Sequence, residues 1–397
     1  MTTRPRNHAY DNLRTLMVLA VVLLHAACAY APSIPWWHAR DAESPLFDVT
    51  ILTLDCFVLP VLFFISGLFA HGAFERHGTA GFLRNKLRRL GLPVLILPVF
   101  YLPTMVYVGY LRRTSEPLNF FQYWLHWTAT LDDWRFVVIT TMRQGAEYAD
   151  KLSPHHLWFI SLLLIFFLGY SLWRAVIPTA RTVGRTLLIP ASAMAVLLGF
   201  AAVNLLVQDW AWARLGPFVL FQPTRVPVYL GMFVFGILAR PHMDRPRPFP
   251  GPWWAWLIPF AAATAGILVM ARTFMTTPPP IPPGQAVLHG ALRAVAAVAG
   301  AGCLVNLAAS RLNRPSTWRE SLSASSYDIF LWHMPLVVFV QAALIQAPLP
   351  LAAKGLLAFL APAGCLWAAG RTAARTGPWL WAGLLAALFL GFCLATG

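Results

Sequence analysis

The sequence predicts an all-α integral membrane protein, a polytopic bundle of ten or eleven transmembrane helices, several of them kinked at proline. Three observations predict it. Hydrophobic residues make up 58% of the 397 residues and charged residues only 11%, with a mean hydropathy of +0.62. A soluble domain carries about 25% charged residues, so this chain cannot clothe a water-facing surface. Apolar runs of the roughly 20 residues that a helix needs to cross a bilayer recur from one end to the other. Arginine and lysine gather in alternate connections between those runs rather than in one patch. The unbroken succession of spans predicts a single membrane-embedded domain over residues 1–397.

In chain order the predicted spans are 13–31, 48–70, 91–111, 156–177, 186–207, 217–239, 252–271, 285–308, 323–345, 350–370 and 378–395. The first is long enough to span and lacks a small-residue cleavage site, so it is read as a helix rather than a removed signal. The third and sixth are the weakest, because Pro93, Pro98, Pro103 and Pro227 interrupt them. Pro60, Pro190, Pro259, Pro335 and Pro362 predict kinks elsewhere, which membrane helices tolerate when neighbours re-satisfy the backbone. The longest connection, 112–155, holds Trp124, Trp127 and Trp134 beside Asp132 and Asp133, and predicts an amphipathic stretch on the membrane surface. The proline-rich segment 274–284 predicts a stiff extended loop.

The net charge is +15. In a soluble protein that would suggest nucleic acid; here it sets topology, and no nucleic-acid partner is expected. With the N-terminus inside, that side carries nineteen basic residues, from Arg4, Arg6 and Arg14 through Arg181 to Arg375, against nine on the other. This asymmetry predicts a cytoplasmic N-terminus and contact with anionic membrane lipids, in what is expected to be a bacterial inner membrane. Arg293 and Lys354 fall inside spans, where each either snorkels or meets a substrate carboxylate. Five cysteines, mostly in apolar runs and without a C-x-x-C pair, argue against a disulfide framework or zinc site. H-E-x-x-H, G-x-S-x-G and phosphate-loop motifs are absent from the sequence, so no metal is expected.

Ionisable groups inside a bilayer are costly and are functional candidates by default. Arg14 and His25 share the first span. Eleven steps of about 100° place them on one helix face, about 16 Å apart along the axis. A neutral imidazole in a polar cavity is a competent general base; the competing reading is a histidine that only packs. Asp55, near one end of the second span, either sits in the interface or orients His25. Ser66, in FFISGLFA, fits small-residue helix packing. Arg84, Lys86, Arg88 and Arg89 crowd into FLRNKLRRLGLP at 82–93, as a lipid anchor or a phosphate clamp. His155 and His156 open the fourth span, and Tyr327, Asp328 and His333 lie in SYDIFLWHMPLV of the ninth.

In this order, Arg14-x10-His25, FFISGLF, the basic segment, HLWF and the Y-x-I-x-L-x-H-x-P pattern resemble the acyltransferase 3 family of integral membrane O-acyltransferases. The motifs reach from Arg14 to Pro335. Asp11–Arg14 and the loop WWHARDAESP (36–45) further resemble the branch of the family that modifies periplasmic glucans. The resemblance implies transfer of an acetyl or succinyl group from cytoplasmic acyl-CoA, as co-substrate, to a hydroxyl of a cell-envelope carbohydrate. It implies that His25 is the catalytic histidine and Arg14 its partner in the motif. The family's R-x-x-R stands here as Lys86-x-x-Arg89. Lysine binds phosphate as a point charge without the bidentate fork, so Arg84 or Arg88 would complete the donor contact. His156, Asp328, His333, Asp55 and Ser66 are possible supporting residues. A transporter or flippase of a lipid-linked or small envelope substrate is the alternative. Trp36, Trp37, Trp124 and Trp127 are candidates for stacking on sugar.

Overall fold

The computed structural model describes residues 7–176, 184–376 and 379–396. Arg4, Arg6 and Arg181, which contribute to the charge asymmetry, lie outside the described residues. Helix α1 (His8–Ala27) begins where the Asn7 side chain accepts the Ala9 N–H, and it ends in a 3-10 turn, Cys28–Tyr30. Its apolar residues Leu13, Met17, Val18, Val21 and Val22 are buried. Around it run α2 (Pro45–Asp55), α3 (Val58–Lys86), a π-helical turn at Leu87–Gly91 and α4 (Leu92–Arg113). After α5 (Phe120–Thr128), strand β1 (Phe136–Ile139) and α6 (Met142–Ala149) come α7 (Trp158–Val176) and α8 (Arg185–Asn204). Strands β2 (Trp212–Leu215) and β3 (Val219–Phe221) lead into α9 (Arg225–Ala239). The chain closes with α10 (Trp253–Thr276), α11 (Pro283–Arg311), α12 (Thr317–Leu344), α13 (Leu351–Thr376) and α14 (Trp379–Thr396). Helix α1 packs on α12, α11 and α13, so the N-terminal helix lies against the C-terminal half of the bundle.

Each of the eleven predicted spans falls at least in part on helix. Eight stretches among the described residues are long and apolar enough to cross a membrane, and one of them, Pro45–Arg113, carries both the second and third predicted spans. Helix α9, at 15 residues, is shorter than that measure. The helices touch most closely where side chains vanish. A Cβ built on Gly67 would lie 2.0 Å from the Phe233 carbonyl oxygen, and one on Gly236 the same distance from that of Phe64. This reciprocal pair lets the backbones of α3 and α9 meet. Ser66 beside it donates its hydroxyl to the Leu62 carbonyl at 2.8 Å, which supports the packing reading of FFISGLFA.

Three features depart from the sequence reading. The predicted span 48–70 is broken at Cys56–Phe57, where Phe57 takes φ −137° and ψ −27° and separates α2 from α3. The predicted span 217–239 begins as strand. The connection 112–155 is no single amphipathic stretch: it folds into α5, β1 and α6, and β1 joins an antiparallel sheet of order β1-β2-β3, with Phe136 opposite Leu215 and Ile139 opposite Trp212. One buried charge fastens this sheet. Arg214, 1% exposed, donates to Asp133 at 3.2 Å and to the Leu152 carbonyl at 3.1 Å. Asp133 also takes two bonds from Arg135 at 2.9 Å and one from Lys151 at 3.3 Å. The Arg135 bonds, with those of Lys151 and Arg214, hold the Asp133 carboxyl well below the usual carboxylate range.

Candidate active site

The bundle brings three histidines together from three helical segments. His25 comes from the last turn of α1, His156 from the short turn before α7, and His333 from the middle of α12. Ring centroids are 5.1 Å apart for His25 and His333, 4.9 Å for His156 and His333, and 6.3 Å for His25 and His156. Their hydrogen-bond partners assign the tautomers. His333 Nδ1 lies 3.1 and 2.8 Å from the Ile329 and Phe330 carbonyl oxygens. A carbonyl can only accept, so Nδ1 carries a proton, and in the neutral ring Nε2 is then a lone pair. That lone pair faces His25 Nδ1 at 2.9 Å, so His25 donates from Nδ1. Its own Nε2 is then an unprotonated nitrogen, without a hydrogen-bond partner among the described residues. His156 follows the same rule: Nε2 faces the Leu331 carbonyl at 3.2 Å and the Tyr101 hydroxyl lies 3.4 Å from Nδ1. Pro335 sits two residues beyond His333 in α12.

His25 and His156 line a cavity of about 880 Å³. Its walls include Trp36, Trp37, Tyr148, Trp158, Trp210 and Trp212. Trp124 and Trp127 are elsewhere: their indole N–H groups donate to the Val99 and Asp150 carbonyls at 3.2 and 2.5 Å. The same cavity meets a second polar group. Arg225 of α9 bonds Asp55 at 2.8 Å and Asp209 at 3.0 Å; Arg293 of α11 bonds Asp55 at 3.0 Å and Asp209 at 2.9 Å. His289 Nε2 lies 3.2 Å from Asp209. Burial alone would raise the Asp209 carboxyl, but Arg225 and Arg293 outweigh it and hold it well below its ordinary range. In the loop after α1, burial and the neighbouring His155 and Arg113 lower the His38 pKa well below the usual imidazole value, so this ring is neutral.

The structure therefore collects some of the sequence-derived candidates and disperses others. His25, His156 and His333 meet. Asp55 lines the same cavity but is bonded to arginines, not to His25. Arg293 is inside this ion-pair group, and Lys354 is bonded to Asp41 at 2.7 Å; neither snorkels. Arg14 is exposed eleven residues before His25 on α1 and lies 4.0 Å from Asp11. Lys86 rests over the Phe167 ring at 3.8 Å, while Arg84, Arg88 and Arg89 are exposed around the π-helical turn. The Arg89 carbonyl accepts the Tyr327 hydroxyl, and Asp328 follows, half-buried. Asp209, Arg225, His289 and Gln341 escaped the sequence reading. The available signal was a polar residue in an otherwise apolar run, clearest for Gln341 in the span 323–345. Among the described residues, no group of three or more His, Cys, Asp or Glu side chains is placed to hold a metal ion.

A family model described as an acyltransferase domain, of the acyltransferase 3 type, matches residues 7–397. Glucans biosynthesis protein C of Salmonella paratyphi B, of Salmonella dublin and of Salmonella enteritidis are each 26% identical over 182 residues, 41% of this chain and 47% of theirs. The chain thus spans about half the length of the curated relatives it matches. No solved structure matches it. A bundle of apolar helices around a cluster of histidines, matched by the family over nearly its whole length, belongs to the acyltransferase 3 family: the protein is an integral membrane acyltransferase.

Proposed function

We propose that this acyltransferase moves an acetyl or succinyl group from cytoplasmic acyl-CoA to a hydroxyl of a cell-envelope carbohydrate such as a periplasmic glucan, with residues 1–397 acting as one membrane-embedded domain. The enzyme would sit in the bacterial inner membrane with its N-terminus in the cytoplasm, as the excess of basic residues on that side suggests. His25 acts as general base. Its Nε2 takes the acceptor's hydroxyl proton as the oxygen attacks the thioester carbonyl. The tetrahedral intermediate collapses, the carbon–sulfur bond breaks, and the coenzyme A thiolate takes the proton back from the imidazolium. His333 holds the Nδ1–H of His25 throughout and steadies the positive ring. Lys86 and Arg89, with Arg84, Arg88 and Arg14 at the same end of the bundle, bind the donor's phosphates. The glucan relatives make a carbohydrate acceptor the best-supported substrate class.

The observation that carries the reading is the hydrogen-bond chain from two α12 carbonyls through His333 to His25, which leaves one nitrogen of His25 unprotonated beside a large cavity. Reconstituted protein supplied with acetyl-CoA or succinyl-CoA and a glucose oligosaccharide tests it. Release of coenzyme A with a matching mass increase on the oligosaccharide, lost in His25→Ala, is expected. Transfer that survives His25→Ala would contradict the assignment.

A further inference from the structure

A second device acts on the proposed catalytic histidine, through its backbone and through the ring beside it. Helix α1 ends two residues after His25 in a 3-10 turn, so its last carbonyls have lone pairs to spare; the Cys28 N–H takes only one of the two on the His25 carbonyl. Gln341, on α12 and 1% exposed, reaches them: its Nε2 donates to the His25 carbonyl at 3.1 Å and to the Ala26 carbonyl at 3.0 Å. Its Oε1 accepts the indole N–H of Trp37 at 2.8 Å. The amide orientation follows from these partners, since the flipped amide would set oxygen against two carbonyls and NH₂ against an N–H. The Trp37 ring in turn lies parallel to the His25 imidazole, 12° between planes and 6.1 Å between centroids. One buried amide thus ties together the backbone of the catalytic residue, the ring beside it and the helix that carries His333.

We infer that Gln341 and Trp37 are positioning residues for the acyl transfer, which fix the His25 imidazole in the attitude its reaction needs. The inference rests on His25 being the base. Three contacts then define that ring: the His333 bond sets its tautomer, the Trp37 face sets its plane, and the Gln341 bonds set the height of its backbone. With any one removed the imidazole gains a freedom it lacks now. A displacement of about 1 Å at a reacting group costs on the order of 100-fold in rate. Because neither residue is assigned a contact with the donor phosphates, the loss falls on kcat and leaves the donor KM in place.

The test is steady-state kinetics of reconstituted, full-length protein with acetyl-CoA or succinyl-CoA and a glucose oligosaccharide, normalised to folded protein by size-exclusion chromatography. Gln341→Leu is expected to lower kcat about 10- to 100-fold with donor KM unchanged. Trp37→Ala is expected to do the same, and Trp37→Phe, which keeps a ring against His25 and drops only the N–H bond, to recover most of the rate. Should Gln341→Leu fail to fold, the two Trp37 variants decide. Native kcat in Gln341→Leu or in Trp37→Ala would overturn the inference. His25→Ala measured alongside separates the two levels. If it is active, the base assignment fails; if it is inactive while the Gln341 and Trp37 variants turn over normally, only the positioning role fails.

Discussion

The two ends of the central cavity solve the same problem in opposite ways. Both place polar side chains inside an apolar bundle, where an unpaired charge is expensive. At one end, Arg225 and Arg293 face Asp55 and Asp209 at 2.8–3.0 Å and the four charges cancel. At the other, His333 bonds helix carbonyls and His25, while His156 beside them bonds a tyrosine and a helix carbonyl. Cancellation offsets the charges of the ionic group, which then holds the start of α9, the break before α3, α11 and the loop at Asp209 in one place. The chain of neutral rings is directional. It begins at carbonyls that can only accept and ends at a nitrogen with a lone pair to spend. Burial makes the first group a staple; in the proposed mechanism it makes the second a base.

The comparison breaks most sharply at His25. Replacing it with alanine removes the proposed general base and is expected to lower kcat by about 10²–10⁴-fold while the protein still inserts and folds, measured as coenzyme A release per folded molecule. A variant near native turnover would put the chemistry elsewhere. The converse holds for the ionic end. Arg293→Met leaves Asp209 and Asp55 short of one partner, and breaking a buried pair costs about 3–5 kcal/mol. Thermal unfolding in detergent should fall steeply, while the molecules that remain folded keep their kcat. A large loss of kcat without loss of stability would move this cluster into the catalytic machinery.

Smaller effects sharpen the comparison at the protein's surfaces. Lys86→Ala should raise the donor KM about 10- to 100-fold, the worth of one charge-assisted phosphate contact. Lys86→Arg should be tolerated, because the fork of arginine suits phosphate at least as well. An unchanged KM in Lys86→Ala would return the 82–93 segment to lipid anchoring. The smallest effect concerns the sheet. Asp133 has its folded pKa depressed by Arg135, Lys151 and Arg214, so its contribution to stability is present above the ordinary carboxylate pKa and is lost only as pH falls through the lower, folded value. Protection of 133–152 and 212–215 against proteolysis should therefore be constant from about pH 5 upward and weaken only in stronger acid. Loss of protection between about pH 5 and 7 would show that another group holds the sheet.

The spans were legible because hydropathy is a local property: a run such as 285–308 announces its own helix. The break at Cys56–Phe57 was legible only as a kink, from Pro60, which cannot donate to the Cys56 carbonyl four residues back; the ion pairs of Asp55 that accompany it were not, since they come from α9 and α11. The sheet was hidden for a related reason. β1 and β2 are four residues each, too short for alternation to register, and α7 and α8 separate them in the chain. His25 stood out as a lone histidine in an apolar helix. What suits it to the proposed role of base did not, because the tautomer is set by His333, 308 residues away, and by carbonyls of the turn before that residue. Gln341 was equally silent: its three partners lie on α1 and the loop after it.

The protonation state of His25 is the most direct test of the histidine chain. Nitrogen-15 spectra of reconstituted protein labelled at histidine, recorded near neutral pH, distinguish a nitrogen that bears hydrogen from one that does not, and the signals missing in His25→Gln identify this ring. The expected result is a neutral His25 with its proton on Nδ1 and a bare Nε2. A proton on Nε2, or a charged ring, would contradict the assignment of His25 as the base that receives the acceptor's proton.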